Sequence, residues 1–190
     1  MIKILDCKQC DLCLSRKQIV NGTGNTASNI MLVGESPGYH EDKNGEPFKG
    51  KTGILLDYYL DLANLPRNSI YLTNVIKCYS KSNRAPKIVE IERCKQYLRR
   101  EILFIKPKII VALGAVAASL LVPNFTKIND FRLRPVVSSK TLIITTYHPT
   151  YILHNGLYDL YHSDWWYINR AYELLCNPFH SSTYSNLKSE

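Results

Sequence analysis

The chain has 190 residues, of which 45% are hydrophobic and 21% charged, and its formal net charge is +8. This length and apolar content exclude a disordered chain and predict one folded domain with a sizeable core. No apolar run reaches the roughly 18 residues of a membrane span, and the first seven residues lack a signal-peptide core. We therefore expect an intracellular monomer, cytoplasmic or associated with DNA, without a membrane partner. The positive charge favours an anionic partner such as nucleic acid.

The predicted elements alternate between strands and helices. In chain order we expect a cysteine-bearing arm over residues 7–28, a strand over 29–33, a Gly/Pro-rich loop over 36–50, a helix over 54–65, a strand over 69–73, a helix over 87–105, a strand over 108–113, a helix over 115–121, a strand over 141–146 and a helix over 165–175. This alternation predicts an α/β fold with a parallel sheet and helices on both faces. We expect the domain to span residues 1–176 and a polar, mobile tail to follow over residues 177–190.

The longest predicted helix, over residues 87–105, has an amphipathic pattern. Its expected inner side consists of Ile88, Ile91, Tyr97, Leu98 and Ile102. The same region carries the densest run of lysines and arginines, from residue 77 to residue 100, which indicates either a solvated face or a surface that contacts phosphate.

Four unusual residues follow four of the predicted strands. Glu35, Asn74, Gly114 and His148 each stand just beyond the end of a strand. Ligands of parallel sheets bind beyond the carboxyl ends of the strands, so we expect these residues to converge on one site.

Each residue near this edge has a functional and a structural interpretation. The Asn74 amide both donates and accepts, which suits the edge of a nucleobase, but it could also cap a turn. The turn at Pro37 and Gly38 could present backbone N–H groups to a ligand or could be an ordinary turn. His148 could be catalytic or structural, and Phe48 could stack on a flat ligand or fill the core.

The six cysteines favour metal binding or buried thiols over disulfides in a reducing compartment. Cys7 and Cys10 form a CxxC pair, and Cys78 and Cys94 lie far downstream, a pattern typical of one metal or iron–sulfur site. This pattern disfavours a nucleophilic-cysteine enzyme. Cys13 repeats the CxxC spacing and is interpreted as a spare thiol that could compete with Cys7. Cys176 is interpreted as a packing residue of the last helix.

A series of short motifs runs in order through residues 7–155. It comprises the CxxC pair, GTG at 22–24, GESPG at 34–38, ED at 41–42, GEPFKGKTG at 45–53, TNVIKC at 73–78, NRAP at 83–86, Cys94, LGA at 113–115 and HPTY at 148–151. Each motif is weak alone, but the full order is highly specific. By these motifs the chain resembles the family 4 uracil-DNA glycosylases, the iron–sulfur branch of their superfamily.

The resemblance implies a three-layer α/β/α sandwich around a four-stranded parallel sheet. It also implies hydrolysis of the N-glycosidic bond of a uracil flipped out of DNA, in base-excision repair. Phe48 matches the residue that stacks on uracil, Asn74 the residue that reads its edge and excludes cytosine, and His148 the residue that stabilises the leaving anion. The backbone near Glu35 and Ser36 completes the implied pocket.

The residue that positions the water is open at this point. Glu35, Glu41 and Asp42 are the candidates, and we favour Glu35 as catalytic and place Glu41 with the substrate-binding residues. By the resemblance, a [4Fe-4S] cluster would be bound by Cys7, Cys10, Cys78 and Cys94 with a structural role.

The implied DNA-binding residues are Asn83, Arg84, Pro149, Tyr151 and Leu153, with Leu153 the expected plug of a loop that wedges into the minor groove. The chain departs from the family at Tyr39-His40, where small or acidic residues are usual, and at Tyr79-Ser80, which replaces Arg-Pro.

The alternative to an active glycosylase is a catalytically weak DNA-binding module, held together by an iron–sulfur cluster or by zinc.

Overall fold

The computed structural model describes residues 3–176, so the expected tail over 177–190 lies outside the described residues. Six strands form one mixed sheet in the order β1-β3-β2-β4-β6-β5. The strands are β1 (Thr23–Gly24), β2 (Ile30–Gly34), β3 (Tyr71–Asn74), β4 (Ile109–Leu113), β5 (Val136–Ser138) and β6 (Thr141–Thr146). The four inner strands are parallel, as expected, and the two short edge strands run antiparallel to their neighbours.

Eight helices accompany the sheet within the described residues. They are α1 (Leu12–Ser15), α2 (Tyr39–Asn44), α3 (Lys51–Leu62), α4 (Ile88–Ile105), α5 (Ala115–Leu121), α6 (Ile128–Phe131), α7 (Pro149–Asn155) and α8 (Tyr158–Cys176). None of the helices between residues 3 and 176 has both the length and the apolar character needed to cross a lipid bilayer.

The sheet separates two apolar cores, because successive side chains of a strand point to opposite faces. Met31 and Val33 of β2 pack in one core, against α4 and α5. Ile30 and Leu32 pack in the other, against α3, α7 and α8. All five residues of β2 are buried, which is typical of a central parallel strand covered by helices on both sides. The three-layer sandwich is therefore confirmed.

Several element boundaries differ from the prediction. The loop expected over 36–50 contains the six-residue helix α2, with Gly38 at its N-cap and Gly45 at its C-cap. Because glycines are typical of loops, the sequence pattern predicted a loop for the whole segment. The last helix begins at Tyr158 rather than near Trp165. The inward side of α8 includes the charged Asp164, which interrupts the apolar pattern before Trp165. That carboxylate is held by Arg132 at 2.5 Å and by the hydroxyl of Thr146.

The prediction for Ile88 was wrong, because this side chain is 81% exposed. Tyr97 and Leu98 are buried as expected, and Ile91 and Ile102 pack partly buried against the same core. The buried side of α4 also includes Glu90, Cys94, Glu101 and Ile105. Glu90 and Glu101 are charged, so a search for apolar residues alone does not find them on the buried side of the helix.

Candidate active site

The ends of β2 and β3 form the floor of the site. Gly34 and Asn74 are direct partners in the parallel register of these strands, and Asn74 is 4% exposed. A Cβ atom on Gly34 would lie 2.4 Å from Asn74 Oδ1 and 2.7 Å from Phe48 Cζ. The absence of a side chain at position 34 therefore allows the Asn74 amide and the Phe48 ring to approach the same point.

The loop that carries Phe48 is held by two side chains, those of Arg67 and Glu41. Phe48 has a positive φ of 55°, which is strained for this residue. Arg67 Nη2 donates to the carbonyls of Pro47 at 2.8 Å and of Phe48 at 3.0 Å. Glu41 Oε1 accepts from the backbone N–H groups of Lys49 and Gly50, both at 3.0 Å. These bonds offset the strain and fix the ring in the site.

His148 stands at the end of β6 and caps the N-terminus of α7. Its Nδ1 accepts the backbone N–H of Thr150 at 3.2 Å and lies 3.0 Å from the hydroxyl of the same residue. Because a backbone N–H can only donate, the neutral ring carries its proton on Nε2. The His148 and Phe48 rings are stacked, with centroids 6.4 Å apart. A Cβ atom on Gly114 would lie 2.9 Å from His148 Cβ, so that glycine, at φ +90°, makes room for the histidine.

Protein atoms surround the His148 ring although part of its surface is accessible. This burial lowers the pKa of His148 to about 4, and the charge of Glu41 opposes the shift. The ring is therefore neutral at physiological pH and presents Nε2–H as a hydrogen-bond donor.

The three acidic candidates occupy different environments. Asp42 is buried, and its carboxylate accepts the backbone N–H groups of Lys17 and Gln18 in the arm. The Glu41 carboxylate is engaged with the Phe48 loop. The Glu35 carboxylate makes no hydrogen bond within residues 3–176, and burial raises its pKa. Glu35 is thus the candidate whose carboxylate is not committed to holding the backbone, and Ser36 follows it half-buried.

The expected DNA-binding residues divide into two groups. The Arg84 guanidinium is paired with the buried Glu90 carboxylate through two hydrogen bonds, of 2.9 and 2.6 Å, whereas Asn83 lies near Gly38. On the other side, Pro149, Tyr151 and Leu153 belong to α7 rather than to the loop that we expected. Tyr151 is 46% exposed and Leu153 half-buried.

Lys77, the first residue of the basic run over residues 77–100, is buried rather than on the surface. Its side chain is 1% exposed, and its Nζ binds Glu101 Oε2 at 2.6 Å and Thr73 Oγ1 at 2.5 Å. Lys77 is therefore a core residue, not a phosphate contact.

Cys7, Cys10, Cys78 and Cys94 line one cavity, which Cys13 does not line. Arg16 Nη1 donates to Cys78 Sγ at 3.2 Å, and the Lys77 N–H donates to Cys94 Sγ at 3.4 Å. Between residues 3 and 176, no three His, Cys, Asp or Glu side chains are grouped so as to hold a single metal ion. The four sulfurs thus surround a shared space instead of meeting at one point.

Burial determines the chemistry of the free thiols. It raises the pKa of Cys94 to about 12 and raises that of Cys78 and Cys10 as well. Such thiols are protonated at neutral pH unless a bound cation displaces the protons, which agrees with ligands and disfavours a nucleophile.

The sequence of this chain matches a known family over most of its length. The sequence model of the uracil DNA glycosylase superfamily matches residues 21–175. The chain belongs to this superfamily. It is 38% identical over 171 residues to the type-4 uracil-DNA glycosylase of Archaeoglobus fulgidus, an alignment that covers 85% of this chain and 86% of the relative.

Two further type-4 uracil-DNA glycosylases align almost as fully. That of Thermotoga maritima is 38% identical, with 83% of each chain covered, and that of Sulfurisphaera tokodaii is 38% identical, with 80% of this chain and 74% of the relative covered. The resemblance that the motifs indicated is therefore confirmed.

Three residues that support this uracil-DNA glycosylase site were not predicted. Arg67 holds the Phe48 loop, Thr150 fixes the His148 tautomer, and Arg16 contacts Cys78. Arg67 and Arg16 contact residues that are distant in sequence, and Thr150 acts through its own backbone N–H. Only Thr150 had a local signal, because an N-cap followed by proline marks the start of a helix.

Proposed function

We propose that this chain is a uracil-DNA glycosylase that hydrolyses the N-glycosidic bond of a flipped uracil and leaves an abasic site, in DNA repair inside the cell. The observation that carries the proposal is that the Phe48 ring lies beside both the Asn74 amide at the end of β3 and the His148 ring at the end of β6. The extensive identity to three type-4 uracil-DNA glycosylases supports the same reaction.

In this proposal each pocket residue recognises one part of the flipped base. The Phe48 ring stacks on the uracil plane. The Asn74 side chain pairs with the adjacent carbonyl and N–H of uracil, whereas cytosine presents an amino group where uracil has a carbonyl. Asn74 therefore excludes cytosine, because one of its buried polar groups would be left without a partner.

The same pocket would stabilise the transition state. When the bond between the sugar and N1 breaks, its electron pair leaves with uracil, and negative charge develops on the ring and its oxygens. His148 Nε2–H is a neutral, preoriented donor for such an oxygen, and removing one donor of this kind costs about 10²–10³-fold in rate. Ionised Glu35 would orient the water that adds to the sugar carbon and would stabilise the cationic sugar.

We also propose that Cys7, Cys10, Cys78 and Cys94 hold a [4Fe-4S] cluster. Four free cysteines around a common cavity suit the thiolate ligation of such a cluster, and the N–H donors from Arg16 and Lys77 suit sulfur atoms that carry negative charge. When bound, the cluster would join the arm, the segment after β3 and α4 into one unit. The alternative metal, zinc, is distinguished by metal analysis of the purified protein.

The test is release of uracil from a labelled oligonucleotide with one uracil, followed by alkaline cleavage. The substrates are the single strand and duplexes with uracil opposite G or A. We expect cleavage at uracil by the iron-loaded protein and a loss of about 10²-fold or more in His148→Ala and Asn74→Ala. The variant His162→Ala, which changes an exposed histidine of α8, is the matched control.

Iron-loaded protein that binds the DNA but releases no uracil would contradict the proposal. That outcome would favour the catalytically weak DNA-binding module. Cleavage that survives both pocket substitutions would contradict the assigned roles of Asn74 and His148 while leaving the reaction itself in place. Gel filtration of the same samples tests the expected monomer.

A further inference from the structure

The rings of Tyr39, His40 and Tyr79 form a group, the aromatic ridge, beside the pocket. The ring of Tyr39 meets His40 edge-on at 5.7 Å and Tyr79 edge-on at 6.4 Å, measured between centroids. Tyr39 is 60% exposed, and His40 is exposed as well. The ridge thus joins the N-terminus of α2 to the segment that follows Cys78.

The ridge adjoins the pocket through short, fixed connections. Tyr39 directly follows Gly38, the last residue of the loop that leaves β2. The ring of His40 lies 3.6 Å from the position of a Cβ atom on Gly50, in the Phe48 loop. The next residue of α2, Glu41, binds the backbone of that loop. A strand of DNA whose uracil enters the pocket would therefore pass the ridge with a neighbouring nucleotide.

Tyr79 supports the ridge rather than forming its outer surface. It is half-buried, and its hydroxyl accepts the backbone N–H of Ser82 at 3.1 Å, which fixes the ring. The Tyr39 ring packs edge-to-face with the ring of Tyr79. Most of the Tyr39 side chain nevertheless remains exposed among the described residues. An exposed aromatic ring held in place at the rim of a site is suited to stacking on a flat partner.

On this basis we propose that Tyr39 and His40 stack on an unpaired nucleobase next to the flipped uracil, so that the ridge favours single-stranded DNA. The inference rests on the proposed function and adds to it the form of the substrate. Bases of a single strand are free to leave their neighbours and stack on protein rings, whereas the neighbours of uracil in a duplex are held by pairing. The net charge of +8 suits the same polyanion.

The test compares binding of a single strand and of a duplex that contain one uracil nucleotide fluorinated at the sugar 2′ position, which resists hydrolysis. A 2-aminopurine placed on either side of the uracil reports stacking through loss of its fluorescence. We expect Tyr39→Ala to weaken binding to the single strand by about tenfold and to restore the fluorescence on one side, with little change for the duplex. Tyr39→Phe should retain both properties because it keeps the ring.

Tyr58→Ala is the matched control, because Tyr58 is 58% exposed on α3 and lies outside the ridge. Equal behaviour of Tyr39→Ala and Tyr58→Ala would overturn the inference. Equal weakening for the single strand and the duplex would also overturn it, since the ridge would then be a general DNA contact. Uracil release by the wild type is measured separately. If the proposed function is wrong, the wild type releases no uracil; if only the ridge inference is wrong, the wild type releases uracil and the ridge variants bind DNA as the control does.

Discussion

At the scale of single residues, the pocket depends on pairs that are fixed by backbone geometry. Asn74 can face the ligand because its strand partner Gly34 has no side chain. We predict that Asn74→Asp lowers uracil release and makes cytosine release measurable, because the substitution removes the amide donor that uracil requires. Single-turnover rates on oligonucleotides with one uracil or one target cytosine measure this. Asn124→Asp, an exposed asparagine between α5 and α6, is the control. An unchanged preference for uracil in Asn74→Asp would refute the assigned pose.

The pH dependence of the reaction separates the roles of His148 and Glu35. Burial lowers the pKa of His148 to about 4 and raises that of Glu35. His148 acts in its neutral form, which is present above its pKa, so it contributes no inflection near the ordinary histidine value of about 6.5. Glu35 acts when ionised, so the rate should rise as the pH increases through its raised pKa.

We therefore predict that the acidic limb of the pH–rate profile disappears in Glu35→Gln and persists in His148→Ala, which is slower at every pH. Single-turnover uracil release between about pH 5 and 8, a range above the pKa of about 4 of His148, measures both effects. A limb that disappears in His148→Ala would show that the histidine titrates in the working range.

The sequence predicted the main pocket residues because each follows a strand, and the carboxyl ends of parallel strands meet at one edge. Their supports were not predictable in this way. The guanidinium of Arg67 reaches the Phe48 loop from a turn about 20 residues away, and only the folded chain brings the two together. A contact to a backbone carbonyl does not require a particular side chain at the accepting residue, so the sequence contains no pattern that predicts it.

At the scale of elements, the arm over residues 7–28 has few apolar contacts of its own. Leu12 is its buried side chain at the cavity, and both cysteines of the CxxC pair are half-buried. We predict that Cys78→Ala and Cys94→Ala lose iron and soluble yield together, because the CxxC part of the arm is then no longer joined through a cluster to the segment after β3 and to α4. Iron and sulfide analysis of the purified proteins measures this.

Cys13→Ala is the matched control and should retain its iron, because Cys13 does not line the cavity. A colourless but soluble and fully active Cys94→Ala protein would show that no cluster is needed. Loss of iron in Cys13→Ala would instead show that this thiol is a ligand.

Elements with an unbroken run of apolar or small residues were predictable, whereas very short elements and the start of α8 were not. β2, β4, β6 and α5 lie where the sequence predicts them, within a residue or two. The edge strand β1 has only two residues and pairs through its backbone at Gly24, where a side chain would collide with the Ile70 carbonyl. Neither length nor hydrophobicity distinguishes such a strand from a loop.

At the scale of the whole molecule, the buried Lys77–Glu101 pair connects the sheet, α4 and the cysteine cavity. Lys77 bonds through its backbone N–H to Cys94 and through its Nζ to Glu101, and both of these partners lie on α4. The two side chains are 1% and 2% exposed, so neither charge has water to replace a lost partner. Thr73 completes the network with a hydrogen bond to each of them.

We predict that Lys77→Met lowers the free energy of unfolding by about 3–5 kcal/mol, because it leaves the Glu101 carboxylate buried without its cation. The double variant Lys77→Met/Glu101→Leu should regain most of this loss, because no charge is then stranded. Urea denaturation of the iron-loaded proteins measures the difference. Lys95→Met, which breaks the exposed pair with Glu92, should change the stability little.

The double variant also distinguishes two roles for the pair. If the pair serves only to balance buried charges, the double variant should hold its iron as well as the wild type, since the backbone N–H of residue 77 still reaches Cys94. If the double variant is stable but loses iron, the pair sets the position of α4 against the end of β3, and hence the position of Cys94 relative to Cys78.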